Sequence, residues 1–208
     1  MLGRVTTLWP DVPATLFGDD RRFPMQSAHV GYVLDQQDVY AYREGYRRGA
    51  MILAERAHAS DEPPELLVWP VAWLWRHYLE LALKETIATG KQLDDESAEW
   101  VWPHGHLLAK LWGEARAHVE PHGDSSAPEL VNVGAIVAEF DALDRDGTGF
   151  RYQESLAGGR SLPTAPEHIN VGLLDETMQR IATFLDAVRS AQRAGLQHLR
   201  DQASFHRE

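Results

Sequence analysis

Apolar residues recur at helical spacing in five stretches of the chain, and this pattern predicts five helices. In each stretch the apolar side chains return at steps of three and four residues, which gathers them on one face of a helix. Strand-like alternation is confined to residues 150–153. The pattern predicts an all-α fold, an up-and-down bundle of about five helices. The predicted helices cover residues 27–58, 68–89, 103–119, 128–143 and 168–193.

The longest apolar run, from Leu66 to Thr89, is the stretch around which the other helices are expected to pack. Nearly every face of it is apolar at helical period, which is typical of a helix buried among other helices. Pro70 suits the first turn, and Gly90 is predicted to end the helix as a C-terminal cap. The run is long enough to cross a bilayer, but each charge near its centre would cost about 2.5–3.5 kcal/mol there. We therefore predict a core helix and no membrane partner.

The remaining segments set the expected domain organisation. Residues 1–26 are punctuated by prolines and glycines and predict an irregular N-terminal arm. Residues 27–194 are predicted to form one helical domain, and 195–208 a helical extension or a loose tail. The long irregular segment 144–166 contains the aromatic tripeptide Phe150-Arg151-Tyr152, which favours docking of this segment on the bundle.

Composition limits the classes of site and partner. The formal net charge of −11 counts against an extended phosphate-tracking surface and suits a basic partner protein. The absence of cysteine excludes disulfides, thiolate metal sites and a cysteine nucleophile. No charged segment followed by an apolar segment opens the chain, so we expect a cytoplasmic protein without a secretory signal.

Four polar residues interrupt the long apolar run and lie on one side of the predicted helix. They are Arg76, His77, Glu80 and Lys84. Arg76, Glu80 and Lys84 follow one another at i, i+4 and i+8, and the pairs have opposite charges. A structural interpretation makes them a salt-bridge ladder, or a buried network tied to Arg151 or Asp144, since buried charges must be paired.

A functional interpretation places the same residues at the floor of a cleft. His77 would act as a general base near neutral pH. Arg76 would hold a phosphate group, for which the planar guanidinium is well suited.

Metal binding is a third interpretation. His77-x-x-Glu80 places two ligand types on one helical face, and further ligands are available from His104-x-His106, Asp141 and Asp144. Di-metal four-helix proteins use Glu-x-x-His from two helices, whereas here the order is reversed and occurs once. We therefore predict no metal and no cofactor.

A basic cluster lies on the first predicted helix, at Arg43, Arg47 and Arg48. One interpretation is a solvated helix face that pairs with Asp38 and Glu44. The other is a patch that contacts phosphate.

Three segments together resemble a group of uncharacterised bacterial HEPN-like helical proteins. They are the helix Arg76–Lys84 (RHYLELALK), the helix start at His106–Leu108, and the tripeptide 150–152 preceded by Asp144. The resemblance covers roughly residues 40–185. It implies an all-α domain that forms a homodimer through its helices.

The same resemblance implies two kinds of function. Active HEPN proteins cut RNA without metal, using an arginine on the phosphate and a histidine, four to six residues later, as the base on the 2′-hydroxyl. Many act in toxin–antitoxin or phage-defence systems, and other members are inactive binding or scaffold domains. In this chain Arg76 and His77 are adjacent, which departs from the family's spacing.

The leading prediction is a metal-independent ribonuclease of the toxin or defence type. His77 is its predicted base, Arg76 and Arg151 contact the phosphate, and Glu80 orients one of them. The predicted substrate-binding residues are Lys84, His106, Tyr152 and Asp144. The alternative is a non-catalytic module that binds nucleotide, RNA or a partner protein, with the polar stripe as a structural network.

Overall fold

The second predicted helix is the centre of the structure, a computed structural model that describes residues 28, 39–59, 62–95, 97–119 and 127–205. The chain divides into two units, residues 1–38 and 39–208, and every helix described belongs to the second. The described residues contain five helices and no strand, so the all-α prediction is confirmed. The helices are α1 (Tyr40–His58), α2 (Pro64–Asp94), α3 (Leu108–Ala117), α4 (Pro128–Leu143) and α5 (Val171–Phe205).

Helix α2 packs against α1, α3 and α5, and α4 reaches the bundle mainly through α3. The side chains of α2 that face these neighbours are fully buried, as the all-round apolar pattern predicts. Each such burial contributes about 1.5–3 kcal/mol, so α2 holds a large share of the core. The α2 side chains with no exposed surface are Val71, Trp75, Tyr78, Leu79, Leu83 and Ile87.

The ends of α2 differ from the prediction. The helix begins at Pro64, where proline suits the first turn, so Pro70 lies inside the helix and its predicted place in the first turn is wrong. The helix continues past Gly90 to Asp94. Gly90 is buried inside the helix, and a Cβ atom there would lie 2.3 Å from Cγ of His118. The prediction that Gly90 ends the helix is wrong, because the glycine instead permits the close approach of the end of α3.

Other helix boundaries shift as well. Helix α3 begins at Leu108 and not at 103, since Gly105 has a φ of 90° and Leu107 is extended. Helix α5 runs to Phe205, so the described part of 195–208 is a helical extension. The predicted arm 1–26 and residues 29–38 lie outside the described residues. None of the helices described combines the length and apolar character needed to cross a bilayer.

The irregular segment after α4 docks on the bundle through Phe150. This side chain is 6% exposed. Its ring centroid lies 6.3 Å from that of Trp69 and 6.2 Å from that of Phe140, which it meets edge-on. Its neighbours Arg151 and Tyr152 remain exposed. The docking prediction is therefore confirmed for Phe150, which holds the 144–149 turn against α2.

Candidate functional site

Arg76 is the centre of a buried polar cluster on α2 and is only 2% exposed. Its Nε donates to the carbonyl of Asp144 at 3.0 Å, and Nη1 donates to Glu80 Oε2 at 3.2 Å. Its Nη2 donates to two carbonyls, those of His106 at 2.9 Å and Arg145 at 3.3 Å. One guanidinium therefore ties α2 to the segment before α3 and to the turn after α4.

Glu80 completes the cluster on the next turn of α2 and is 3% exposed. Its Oε1 accepts hydrogen bonds from Lys84 Nζ and His106 Nδ1, both at 2.8 Å. Burial alone would raise the pKa of Glu80, but the hydrogen bonds from Lys84 and His106 outweigh it and hold the pKa below its ordinary value. The Glu80 carboxylate therefore accepts hydrogen bonds from three side chains, those of Arg76, Lys84 and His106.

Asp144 closes the cluster from the end of α4. Its Oδ1 accepts the backbone N–H of Gly149 at 2.8 Å, and its Oδ2 lies 3.5 Å from Arg76 Nε. Between these residues, Gly147 has a φ of 70°, and a Cβ atom there would lie 2.6 Å from Arg76 Nη1. The turn is pressed directly onto the guanidinium, which explains why a glycine occupies this position.

We call Arg76, Glu80, Lys84 and Asp144 the α2 cluster, and their charges balance. Arg76 and Lys84 face Glu80 and Asp144, and all four are at most 4% exposed. Asp144 is one of the two partners that the structural interpretation expected. The other, Arg151, is exposed, donates its Nε to the carbonyl of Gly147 at 3.1 Å and lies over the ring of Tyr152.

His77 lies on a different side of α2 from the cluster. Its ring meets that of Tyr46 of α1 edge-on, with 4.3 Å between the ring centroids. It stacks on the ring of Trp73, with 6.0 Å between the centroids. Burial lowers the pKa of His77, the charge of Glu80 opposes this, and the charge of Arg76 reinforces it. The imidazole is therefore neutral at pH 7, and no described residue forms a hydrogen bond that would orient it. The structure does not join Arg76 and His77 in one open cleft.

The positions of the potential ligands do not support the metal interpretation among the described residues. Across the part of the chain that the structure describes, no three His, Asp or Glu side chains are placed to hold a metal ion. The oxygens of Glu80 are instead taken by Arg76, Lys84 and His106.

A second polar cluster, missed in its full extent by sequence reasoning, lies between α1, α2 and α5. We call it the arginine cluster, and it comprises Arg43, Arg47, Arg189, Arg193, Glu85 and Asp186. The solvated-face interpretation is wrong for Arg43, which is 1% exposed. It fits Arg48, which is exposed and pairs with Glu44, whereas Asp38 lies outside the described residues. The spacing of 186, 189 and 193 on one face of α5 is the signal that could have revealed it.

Comparisons of the chain with protein families, curated proteins and solved structures found no match. The functional assignment therefore depends on the geometry of the α2 cluster and the arginine cluster.

Proposed function

We propose that this chain is a non-catalytic, HEPN-like helical module that forms a homodimer. Its function is to bind nucleotide, RNA or a basic partner protein. The observation that carries the proposal is the burial of Arg76, whose Nε, Nη1 and Nη2 all donate inside the protein. A residue that stabilises a phosphate in a transition state must direct its donors at the substrate. Arg76 directs its donors at backbone carbonyls and a carboxylate.

The remaining members of the α2 cluster support the same proposal. Lys84 is 4% exposed and is bound to Glu80, so it is withdrawn from any ligand. A buried network of balanced charges is typical of a structural role, because the attraction between opposite charges offsets the cost of removing each ion from water. The overall charge of −11 adds long-range attraction for a basic protein partner.

A second candidate function, the metal-independent ribonuclease, is favoured by one feature of His77. Its lowered pKa leaves a neutral imidazole, the form that accepts a proton. Arg151 is exposed and lies near enough for its charge to contribute to that lowering, so it could take the phosphate in place of Arg76.

An RNA cleavage assay in EDTA separates the two functions. The purified chain, in excess over total RNA at pH 7, is compared with His77→Ala and with a matched control, His198→Ala, whose side chain is exposed on α5. We expect no cleavage above the protein-free background, because Arg76 is withdrawn from solvent and His77 lacks an orienting partner.

Cleavage by wild type and His198→Ala that disappears in His77→Ala, with unchanged thermal unfolding, would overturn the proposal in favour of the ribonuclease. Equal cleavage by all three proteins would contradict the assignment of His77 as the base of the ribonuclease.

A further inference from the structure

His106 combines an exposed imidazole ring with a buried carboxylate. Its side chain is 68% exposed, and its Nδ1 lies 2.8 Å from Oε1 of Glu80, whose side chain is 3% exposed. Although burial opposes it, hydrogen bonds from Lys84 and His106 hold the pKa of Glu80 below its ordinary value, so the carboxyl group is ionised at pH 7. An ionised carboxylate has no hydrogen to donate, so Nδ1 of His106 carries the hydrogen of this contact.

The hydrogen on Nδ1 determines what the other nitrogen of the ring can do. In a neutral imidazole with its hydrogen on Nδ1, Nε2 has a free lone pair and can act as an acceptor or a nucleophile. Among the described residues, none forms a hydrogen bond or an ion pair with Nε2 of His106. Because Nδ1 faces the buried carboxylate while most of the ring is exposed, we infer that this lone pair is accessible from solvent.

The backbone of His106 is held in place as well as its ring. Its carbonyl accepts a hydrogen bond from Nη2 of Arg76 at 2.9 Å. The preceding residue, Gly105, has a φ of 90° and bends the chain before α3. A group that is held in one orientation before a reaction loses little freedom when it meets its reactant. The imidazole is therefore oriented in advance.

The α2 cluster does not need this imidazole for its own charge balance, since its two cations already face two carboxylates. The other described histidine that pairs with a carboxylate, His118, shows the reverse arrangement. Its ring is 13% exposed, and its partner Asp94 is 70% exposed. An exposed ring oriented by a buried carboxylate therefore distinguishes His106 within the described part of the chain.

We propose that His106 is a phosphoryl acceptor, with Nε2 as the attacking atom and Glu80 as the positioning residue. The donor is a phosphoramidate or an acyl phosphate. The lone pair of Nε2 forms a bond to phosphorus, and the leaving group departs with the electron pair of the bond that breaks. The hydrogen stays on Nδ1, and the carboxylate of Glu80 stabilises the positive charge that the ring acquires. This modification site goes beyond the proposed binding function and does not require the chain to be a catalyst.

Reaction of the folded protein with phosphoramidate at pH 7 tests the proposal. The P–N bond of the reagent breaks, and ammonia leaves. Peptide mass spectrometry without acidic steps gives the phosphorylation rate at each histidine, because phosphohistidine is labile in acid. His104 and His198 are controls within the same molecules, since both are exposed and neither contacts a carboxylate among the described residues. We expect the rate at His106 to exceed theirs by about tenfold or more.

Glu80→Gln tests the positioning role, because glutamine keeps an oxygen that can accept the Nδ1 hydrogen but lacks the charge. We expect the rate at His106 to fall by about tenfold, while the rates at His104 and His198 stay as in the wild type. Glu176→Gln, which removes the same charge from an exposed i,i+4 pair, is the matched control and should leave all three rates unchanged. Circular dichroism checks that each variant is folded.

Equal rates at His106, His104 and His198 in the wild type would overturn the proposal and leave the imidazole as a structural link between α2 and the segment before α3. Retention of the fast rate at His106 in folded Glu80→Gln would also overturn it, because exposure of the ring alone would then account for the rate. The first comparison uses only the wild type, so it holds even if Glu80→Gln does not fold. Since neither readout depends on RNA or on a binding partner, this proposal and the proposed function can fail separately.

Discussion

Glu80→Ala is expected to lower the free energy of unfolding by about 3–5 kcal/mol, the range for breaking a buried ion pair from one side. The substitution removes the carboxylate partner of Lys84 and one of the two carboxylates beside Arg76, and these two cations are 4% and 2% exposed. It also removes the contact to His106, which holds the segment before α3 on α2. Urea unfolding at pH 7 measures the change.

Glu176→Ala is the matched control, since Glu176 and Arg180 form the same i,i+4 pairing on an exposed face of α5. An exposed pair of this kind contributes little, so we expect a change within about 0.5 kcal/mol. The pKa of Glu80 is lowered, so its contribution is present above the ordinary value of 4.5 and is lost as the pH falls through the folded-state pKa. Equal effects of the two substitutions at pH 7 would show that the α2 cluster is not structural.

Gly147→Ala is expected to destabilise the protein by about 2–5 kcal/mol, from two separate causes. At a φ of 70° the backbone is in the left-handed region, which alanine adopts at a cost of about 1–2 kcal/mol. In addition, the new Cβ would lie 2.6 Å from Nη1 and 2.8 Å from Cζ of Arg76. This guanidinium cannot easily move, because three backbone carbonyls hold it.

Gly158→Ala separates the two causes of that effect. Gly158 has a φ of 85°, and a Cβ atom there would meet nothing within 4 Å, so it carries only the backbone cost. Chemical denaturation of both variants gives the cost of the contact with Arg76 as the difference. If the two glycines tolerate alanine equally well, the turn is not pressed on the guanidinium.

Periodicity alone predicted much of the fold. The apolar pattern placed α4 at residues 128–143, where it is observed, and identified α2 as the buried centre. It failed at Gly90, because the sequence signal of a helix-ending glycine is the same as that of a glycine that permits close packing. Which of the two applies depends on His118, a residue of the segment after α3 that local sequence does not bring into contact.

The α2 cluster was predictable from the sequence only where its contacts are local to one helix. The i, i+4, i+8 spacing of Arg76, Glu80 and Lys84 follows from helix geometry, and Asp144 was among the expected partners. The carbonyl of His106 was not predictable, since its position depends on the turn that precedes α3. The arginine cluster depends on three helices meeting, and sequence reasoning had only the half on α1.

Labelling of arginine side chains with phenylglyoxal, read by peptide mass spectrometry on the folded protein, tests most directly whether the α2 cluster is architecture. Arg76 is 2% exposed, whereas Arg151 is exposed and the side chain of Arg180 is 77% exposed. We predict that Arg151 and Arg180 are modified while Arg76 stays unmodified until the protein unfolds. Modification of Arg76 at the rate of Arg151 in the native state would contradict this, because it would show a guanidinium that is presented to solvent and available to a substrate.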